Sequence, residues 1–342
     1  MTTSWQIYRG TGQPHDGIAR LPDPPGWRRF TGRPDLAVPD YPDESSIRRL
    51  GDENVQQEPT PDEIRVVNAA LYLRRPLLVT GKPGTGKSTL AYSVARELKL
   101  GPVLKWPITS RTTLQQGLYH YDAVGRLHDE NVRNLRATAG ARSAMAETDI
   151  GRYVRLGPLG TALLPYGRPR VLLIDEIDKS DVDLPNDLLN VFEEGEFTID
   201  ELARLPEDQA NVKVMTADED LRRVPVHRGR VQCHLFPFIV MTSNDERDFP
   251  PAFLRRCLTV RLQPPTAEQL SAMIAAHLGE ERIADARSVV DQFLRRRTEG
   301  DLAADQLLNV IFLTARRGEE SDLEWREVVN ALLHSLRAAD GI

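Results

Sequence analysis

Nine residues, GKPGTGKST at 81–89, carry the densest chemical signal in the chain. They fit the spacing G-x-x-x-x-G-K-[ST], with a short apolar run, PLLVT, just before them and a helical stretch at 87–99 just after. Gly81, Gly84 and Gly86 let the backbone wrap tightly, so that successive N–H groups around Pro83, Thr85 and Thr89 face an anion. Lys87 is placed to reach the β- and γ-phosphates of a nucleoside triphosphate, and the Ser88 hydroxyl is a ligand for Mg²⁺. A second signal is VLLIDEIDK at 171–179, an apolar strand that ends in carboxylates. In an open α/β sheet ligands bind at the carboxyl ends of the strands. Asp175 there would hold Mg²⁺ through water, and Glu176 would orient or deprotonate an attacking water. A third apolar strand, FIVMTSN at 238–244, ends in Asn244. Asn244 either marks a turn or hydrogen-bonds the attacking water or the γ-phosphate. A fourth feature is the pair Arg255 and Arg256 in PAFLRRCLTVRL. Either it solvates a helix end, or it supplies cations to developing phosphate charge.

These groups need a scaffold, and the alternation of patterns supplies one. Strands are expected near 76–80, 103–108, 170–175, 237–243 and 257–262, with a helix opening in PTPDEIRVVNAALYLRRP ahead of them and helices at 87–99 and 184–194 between them. Thr60 can cap the first helix and Pro61 fits its first position. Gly195 falls just past the end of the third. Strands alternating with helices predict a parallel, helix-covered sheet. After QPPT at 263–266 the pattern turns wholly helical, near 266–278, 284–297, 303–316 and 322–338. Thr266/Gln269 and Ser321/Glu324 have capping-box spacing.

Residues 1–58 read differently. Prolines 14, 22, 24, 25, 34, 39 and 42 lie among five glycines, which disfavours helices and central strands. Trp5, Tyr8, Trp27, Phe30 and Tyr41 make the segment too aromatic for a linker. An extended strap, lying on its own domain or on a neighbour, is expected. The arginine pairs Arg28/Arg29, Arg48/Arg49 and Arg74/Arg75 are expected to be mostly solvated.

The 342 residues carry a net charge of −6, which gives no general attraction to nucleic acid or anionic membrane. The two cysteines, Cys233 and Cys257, sit beside apolar residues without metal-ligand spacing and read as buried thiols. No apolar run approaches the ~18 residues of a membrane span, and no signal-peptide core opens the chain, so a cytoplasmic location is expected.

The order of P-loop, LLIDE, strand-terminal Asn, paired Arg and helical lobe resembles the AAA+ ATPases. Within them, GKPGTGKSTLA, LLNVFEEGEF and TSNDERDFPPAFLRRC resemble the MoxR group of the dynein-related, McrB-like branch. The resemblance spans about residues 60–340. It implies an α/β P-loop core over 59–263, with a five-stranded parallel sheet in the order 5-1-4-3-2, and a C-terminal α-helical lid over 264–342. It also implies ATP and Mg²⁺ as ligands and a homo-oligomeric ring, commonly a hexamer. Lys87 and Ser88 then fall on Walker A, Asp175 and Glu176 on Walker B, Asn244 on sensor 1, and Arg256 on the arginine finger with Arg255 as second choice. The lid departs from the pattern: Asp305 and Gln306 stand where a sensor 2 arginine is expected, and Arg316 and Arg317 lie at the far end of that helix. Insertions are expected near 118–128 and within 197–235. In the first, Tyr119, Tyr121 and His128 either pack internally or meet a polypeptide. The second has room for a hairpin, KVMTADED returning as RVPVHRGRVQCHL, whose charges (Asp218, Glu219, Asp220, Arg222, Arg223) are either a solvated edge or a client surface.

The group implies a protein client, for example one with a von Willebrand factor A domain, and hydrolysis coupled to remodelling. Two other readings stay open. One is a nucleic-acid-associated NTPase of the McrB kind, disfavoured by the acidic charge. The other is a nucleotide-controlled assembly switch with little turnover.

Overall fold

The computed structural model describes residues 5–40, 44–51, 59–138, 149–279, 282–297, 304–314, 327–329 and 331–332. Its centre is a parallel five-stranded sheet. From one edge to the other the strands are Leu258–Arg261, Leu77–Thr80, Phe238–Ser243, Val171–Asp175 and Leu104–Pro107. Counted in chain order this is 5-1-4-3-2, the expected arrangement. Both faces are covered, so the strands alternate between two cores rather than between core and water. Leu78, Leu172, Ile174, Ile239 and Met241 join one apolar cluster. Leu77, Val79, Val171, Leu173, Phe238 and Val240 join the other.

Helix Pro61–Leu73 starts as its sequence dictates, with the Thr60 hydroxyl accepting the Glu63 N–H and proline in the first turn. Helix Leu184–Glu194 ends at Gly195, whose φ of +64° suits a residue without a Cβ. Helices Ala267–Leu278, Arg282–Arg297 and Ala304–Thr314 gather a third apolar cluster around Leu270, Phe293 and Leu307. The Thr266/Gln269 capping box is formed. Ser321, Glu324, Arg316 and Arg317 lie outside the described residues, as does Tyr41.

The N-terminal segment packs on its own chain. Ile7 and Tyr8 are buried, and both their amides donate to Asn68 Oδ1, at 2.7 and 3.0 Å. The wholly buried Glu97 accepts the amides of Arg9 and Gly12. Side-chain acceptors thus satisfy backbone amides of a segment that forms no strand among the described residues. The expectation of no helix fails at Glu44–Leu50, an α-helix. ESSIRRL contains no proline and follows the last of the seven.

Arg28 and Arg74 are not solvated, being only 4% and 5% exposed. The Arg28 guanidinium lies over the rings of Phe30 and Phe236 and donates to the Arg74 and Phe192 carbonyls. It thereby caps the ends of two helices, where cations are favoured.

The two insertions form one object. Six short strands make a second sheet in the order Tyr119–Tyr121, Val154–Leu156, Asn211–Met215, Arg223–His227, Arg230–Gln232 and Glu196–Thr198. The hairpin is present, pairing Asn211 with His227 through Met215 with Arg223. The segment 118–128 is a strand followed by the start of helix Ala123–Thr138. Tyr119 packs internally, stacked on Phe197 and donating to Glu201 at 2.9 Å.

Asp218 belongs to neither a solvated edge nor a client surface. It is 2% exposed and takes the Arg170 guanidinium in a two-pronged contact at 2.7 and 3.3 Å. Burial alone would lower the Arg170 pKa; the Asp218 carboxylate outweighs burial and leaves it above the ordinary value. Asp218→Ala would strand that buried cation. It is expected to cost ~3–5 kcal/mol of stability, seen as a fall in Tm on the order of 10 °C. A change within 1–2 °C would show the pair to be dispensable.

Both cysteines are buried, and burial pushes each thiol up to about 12. Among the described residues no helix is long and apolar enough to cross a membrane.

Candidate active site

The site is built where three parallel strands end. The loop after Thr80 turns through Gly81, Gly84 and Gly86, all at positive φ (149°, 74° and 84°). Two of these positions show why glycine is required. A Cβ on Gly81 would meet the Leu262 carbonyl oxygen at 2.8 Å, and Gly86 adopts the left-handed conformation with open space before it. Pro83, Gly84 and Gly86 are exposed, and Thr85 ties the turn with a hydrogen bond from its hydroxyl to the Lys82 carbonyl at 2.9 Å. Helix Lys87–Glu97 starts directly, so the first-turn amides of Lys87, Ser88 and Thr89 have no partner within the helix.

Lys87 lies under the loop and is 8% exposed, its Nζ donating to the Gly81 and Lys82 carbonyls at 2.7 and 2.8 Å. Burial lowers its pKa, against the pull of Asp178, Asp245, Glu176 and Asp175. The ammonium therefore sits within a field of carboxylates, closing its own loop with contacts that phosphate oxygens could replace.

Ser88 donates to Asp175 Oδ1 at 2.7 Å, and Thr242 donates to the same oxygen at 2.9 Å. Lys105 pairs with Asp175 Oδ2 at 3.3 Å. Burial would raise the Asp175 pKa, but the Ser88 and Thr242 hydrogen bonds and the Lys105 charge hold it below the usual carboxylate range. Asp175 is thus a carboxylate at neutral pH. Ser88 Oγ and Asp175 together are a hard-oxygen pair of the type Mg²⁺ takes. Together with the open cradle at Gly86, they fit a Mg–nucleotide ligand.

Glu176 occupies the left-handed region at φ 64°, ψ 51°. That conformation costs a side-chain-bearing residue ~1–2 kcal/mol and persists only where its surroundings enforce it. Here its amide donates to Thr242 Oγ1 at 2.8 Å, and its carbonyl accepts from the Lys179 amide at 3.0 Å. The result turns the carboxylate away from the strand line, where Lys179 Nζ holds it at 2.9 Å. Both partners are 44% exposed, so this ion pair is weak and easily exchanged.

Asn244 follows the fourth core strand directly. Its amide donates to Asp178 Oδ2 at 2.8 Å and its side chain donates to Glu246 at 3.1 Å. Asp178 is 4% exposed, and its other oxygen, Oδ1, is buried without a hydrogen-bond partner among the described residues.

The structure therefore brings together the loop, Lys87, Ser88, Asp175, Glu176 and Asn244. It adds Thr242, Asp178, Lys105 and Lys179, none of which the sequence singled out. A signal existed for Asp178, the third acidic residue in DEID.

Arg255 and Arg256 stand elsewhere. They follow the short helix Pro251–Leu254 and precede strand Leu258–Arg261. Arg256 Nε donates to Glu193 at 2.9 Å, and Nη1 to the Ala252 carbonyl at 3.2 Å. The Arg255 carbonyl accepts from Arg75, while its guanidinium is exposed and makes no hydrogen bond or ion pair among the described residues.

A glycine-rich loop between strand and helix, facing strand-end carboxylates across a 5-1-4-3-2 sheet, defines the P-loop class of nucleotide-binding folds. Within that class the chain belongs to the AAA domain family, dynein-related subfamily, whose model matches residues 76–257, just over half of the 342 residues. It is thus a member of the AAA+ ATPases. The match runs from the strand before the P-loop to the residue after Arg256. No curated protein matches the chain at a significant level.

Proposed function

We propose that this protein is an ATP-hydrolysing ring ATPase of the MoxR type that remodels or activates partner proteins, and that its arginine pair serves the neighbouring subunit's nucleotide. The observation that carries the reading is one of position. Strands Leu77–Thr80 and Leu258–Arg261 run parallel with Leu77 beside Leu258 and Thr80 beside Arg261. The P-loop follows the end of the first, and the arginines precede the start of the second. Four residues of strand place the two about 13 Å apart, at opposite ends of these neighbouring strands. An arginine so placed serves phosphoryl transfer only by facing another copy. A contact of that kind is head-to-tail, and it closes into a ring, six-membered in the reading adopted here.

In this reading the loop amides of residues 81–89 and Lys87 hold the phosphates, and Ser88 and Asp175 hold Mg²⁺, Asp175 through water. Bound Mg²⁺ would neutralise charge shared by the β- and γ-oxygens. Glu176, released by Lys179, takes or orients the proton of the attacking water, and Asn244 fixes that water's position. Arg256, with Arg255 as second choice, meets the developing charge from the next subunit. The exposed apolar side chains Val124, Leu127 and Leu135 on helix Ala123–Thr138 support a protein client, for which a von Willebrand factor A domain is the candidate.

The assembly-switch reading is favoured by one feature, the Asp305 and Gln306 pair near the start of helix Ala304–Thr314 where a cation was expected. One titration separates the readings. For a shared site, ATP turnover per subunit rises with protein concentration, together with a mass increase by light scattering in Mg–ATP. DNA, RNA and GTP leave the rate unraised. Assembly with turnover far below the ~1 s⁻¹ of ordinary enzymes supports the switch. Stimulation by DNA supports the nucleic-acid reading. Constant specific activity from a monomer overturns the ring.

A further inference from the structure

Glu193 occupies an unfavourable place. It and Glu194 lie in the last turn of helix Leu184–Glu194, which has no basic residue there. The negative end of the helix dipole disfavours carboxylates at that position. Two arginines from outside the helix offset the charge, and they do so on different oxygens. Arg28, in the N-terminal strap, approaches Glu193 Oε2 at 3.4 Å. Arg256 Nε donates to Glu193 Oε1 at 2.9 Å.

The two contacts differ in rigidity. Arg28 is 4% exposed, lies over two aromatic rings, and is bonded to the Phe192 and Arg74 carbonyls. It is a fixed point that holds one side of the carboxylate. Arg256 is 41% exposed, and the held part of its guanidinium is Nε, with Nη1 on the Ala252 carbonyl. Its Nη2 makes no hydrogen bond among the described residues. The carboxylate therefore fixes the side chain at its base and leaves the outer donors of the planar fork available. A guanidinium ordered in this way loses less freedom when it meets a phosphate.

We propose that Glu193, anchored by Arg28 of the strap, is the positioning residue for Arg256, presenting its free Nη2 edge to the nucleotide of a neighbouring copy of this chain. The proposal rests on the trans role of Arg256 given above, and it gives the strap a part in turnover although the strap lies outside the matched family region. Ordering a long side chain in advance is worth about 2- to 10-fold in rate.

The test is ATP turnover of full-length Glu193→Ala and Glu193→Gln at saturating protein. Glu193→Ala is expected to lower kcat about 2- to 10-fold with less than about a twofold change in KM for ATP. Glu193→Gln, whose Oε1 still accepts from Arg256 Nε, should recover much of the loss. In an Arg256→Ala background, Glu193→Ala should cost nothing further. Turnover equal to or above wild type in Glu193→Ala overturns the proposal, since Glu193 would then be idle or a competitor. An equal loss in the Arg256→Ala background also overturns it, because the effect would be one of helix-end stability. If Arg256→Ala itself turns over normally, the trans-arginine reading fails instead, and with it the premise.

Discussion

Glu176→Gln is expected to cut ATP turnover by ~10²–10⁴-fold, the usual contribution of a positioned acid or base, while nucleotide affinity stays within about threefold. The proposed roles separate the two effects. On that proposal phosphate and metal contacts would fall to Lys87, the loop amides, Ser88 and Asp175, whose hydrogen bonds in the structure do not involve the Glu176 side chain. The strained backbone of Glu176 is held by Thr242 Oγ1 and the Lys179 amide, which a glutamine leaves in place. What is lost is the carboxylate that Lys179 now holds at 2.9 Å. Glutamine can still orient a water but cannot accept its proton. Turnover by coupled assay and affinity by equilibrium binding decide the matter. Residual turnover above about a tenth of wild type would remove Glu176 from the base role. A large loss of affinity would mean that the side chain serves the fold of the site.

The loop and the strand-end carboxylates were legible in the sequence because each is local. GKPGTGKST carries its own turn chemistry, and LLID is an apolar run too short for a helix and ending in charge. Each announces itself within ten residues. The sheet order followed from five such runs with helices between them, once the family resemblance fixed their pairing.

What stayed hidden depends on partners far away in the chain. Thr242, which ties Asp175 to the Glu176 amide, lies in a strand buried along its whole length. Such strands show no alternation, so no pattern marks which residue faces the site. Asp178 is visible in the sequence only as a third acidic residue in DEID, and its burial against the Asn244 amide needs the neighbouring strand to be in place. The second sheet is made of three- to five-residue strands, pairing 119–121 with 154–156 and 196–198 with 230–232. Strands that short carry too little periodicity to be read alone. Arg28 had one readable sign, its position in WRRF. Aromatic neighbours on both sides can shield a guanidinium, and Phe30 does so.

Arg256→Ala is expected to lower turnover by ~10³-fold or more, the scale on which an arginine supplied to a phosphoryl group acts. Its effect on stability should be small, because its ion pair with Glu193 is about 40% exposed on both sides. The loss alone does not show whose nucleotide the arginine serves; mixing does. An Arg256→Ala subunit keeps an intact loop, Asp175 and Glu176. A Glu176→Gln subunit keeps an intact arginine. Where the second presents its arginine to the first, a complete site is restored. In rings assembled at random from equal amounts, roughly a quarter of the head-to-tail interfaces have that arrangement. Turnover should therefore rise from near zero toward a quarter of wild type. It should fall again as either variant is diluted out by the other. Arg255→Ala in place of Arg256→Ala measures the second arginine in the same way, and its guanidinium, exposed and unbonded among the described residues, makes it a fair comparison. A mixture no more active than the sum of its parts would place the arginine's action within its own subunit. The ~13 Å of sheet between Arg256 and its own P-loop would then have to be closed by a rearrangement of strand Leu258–Arg261.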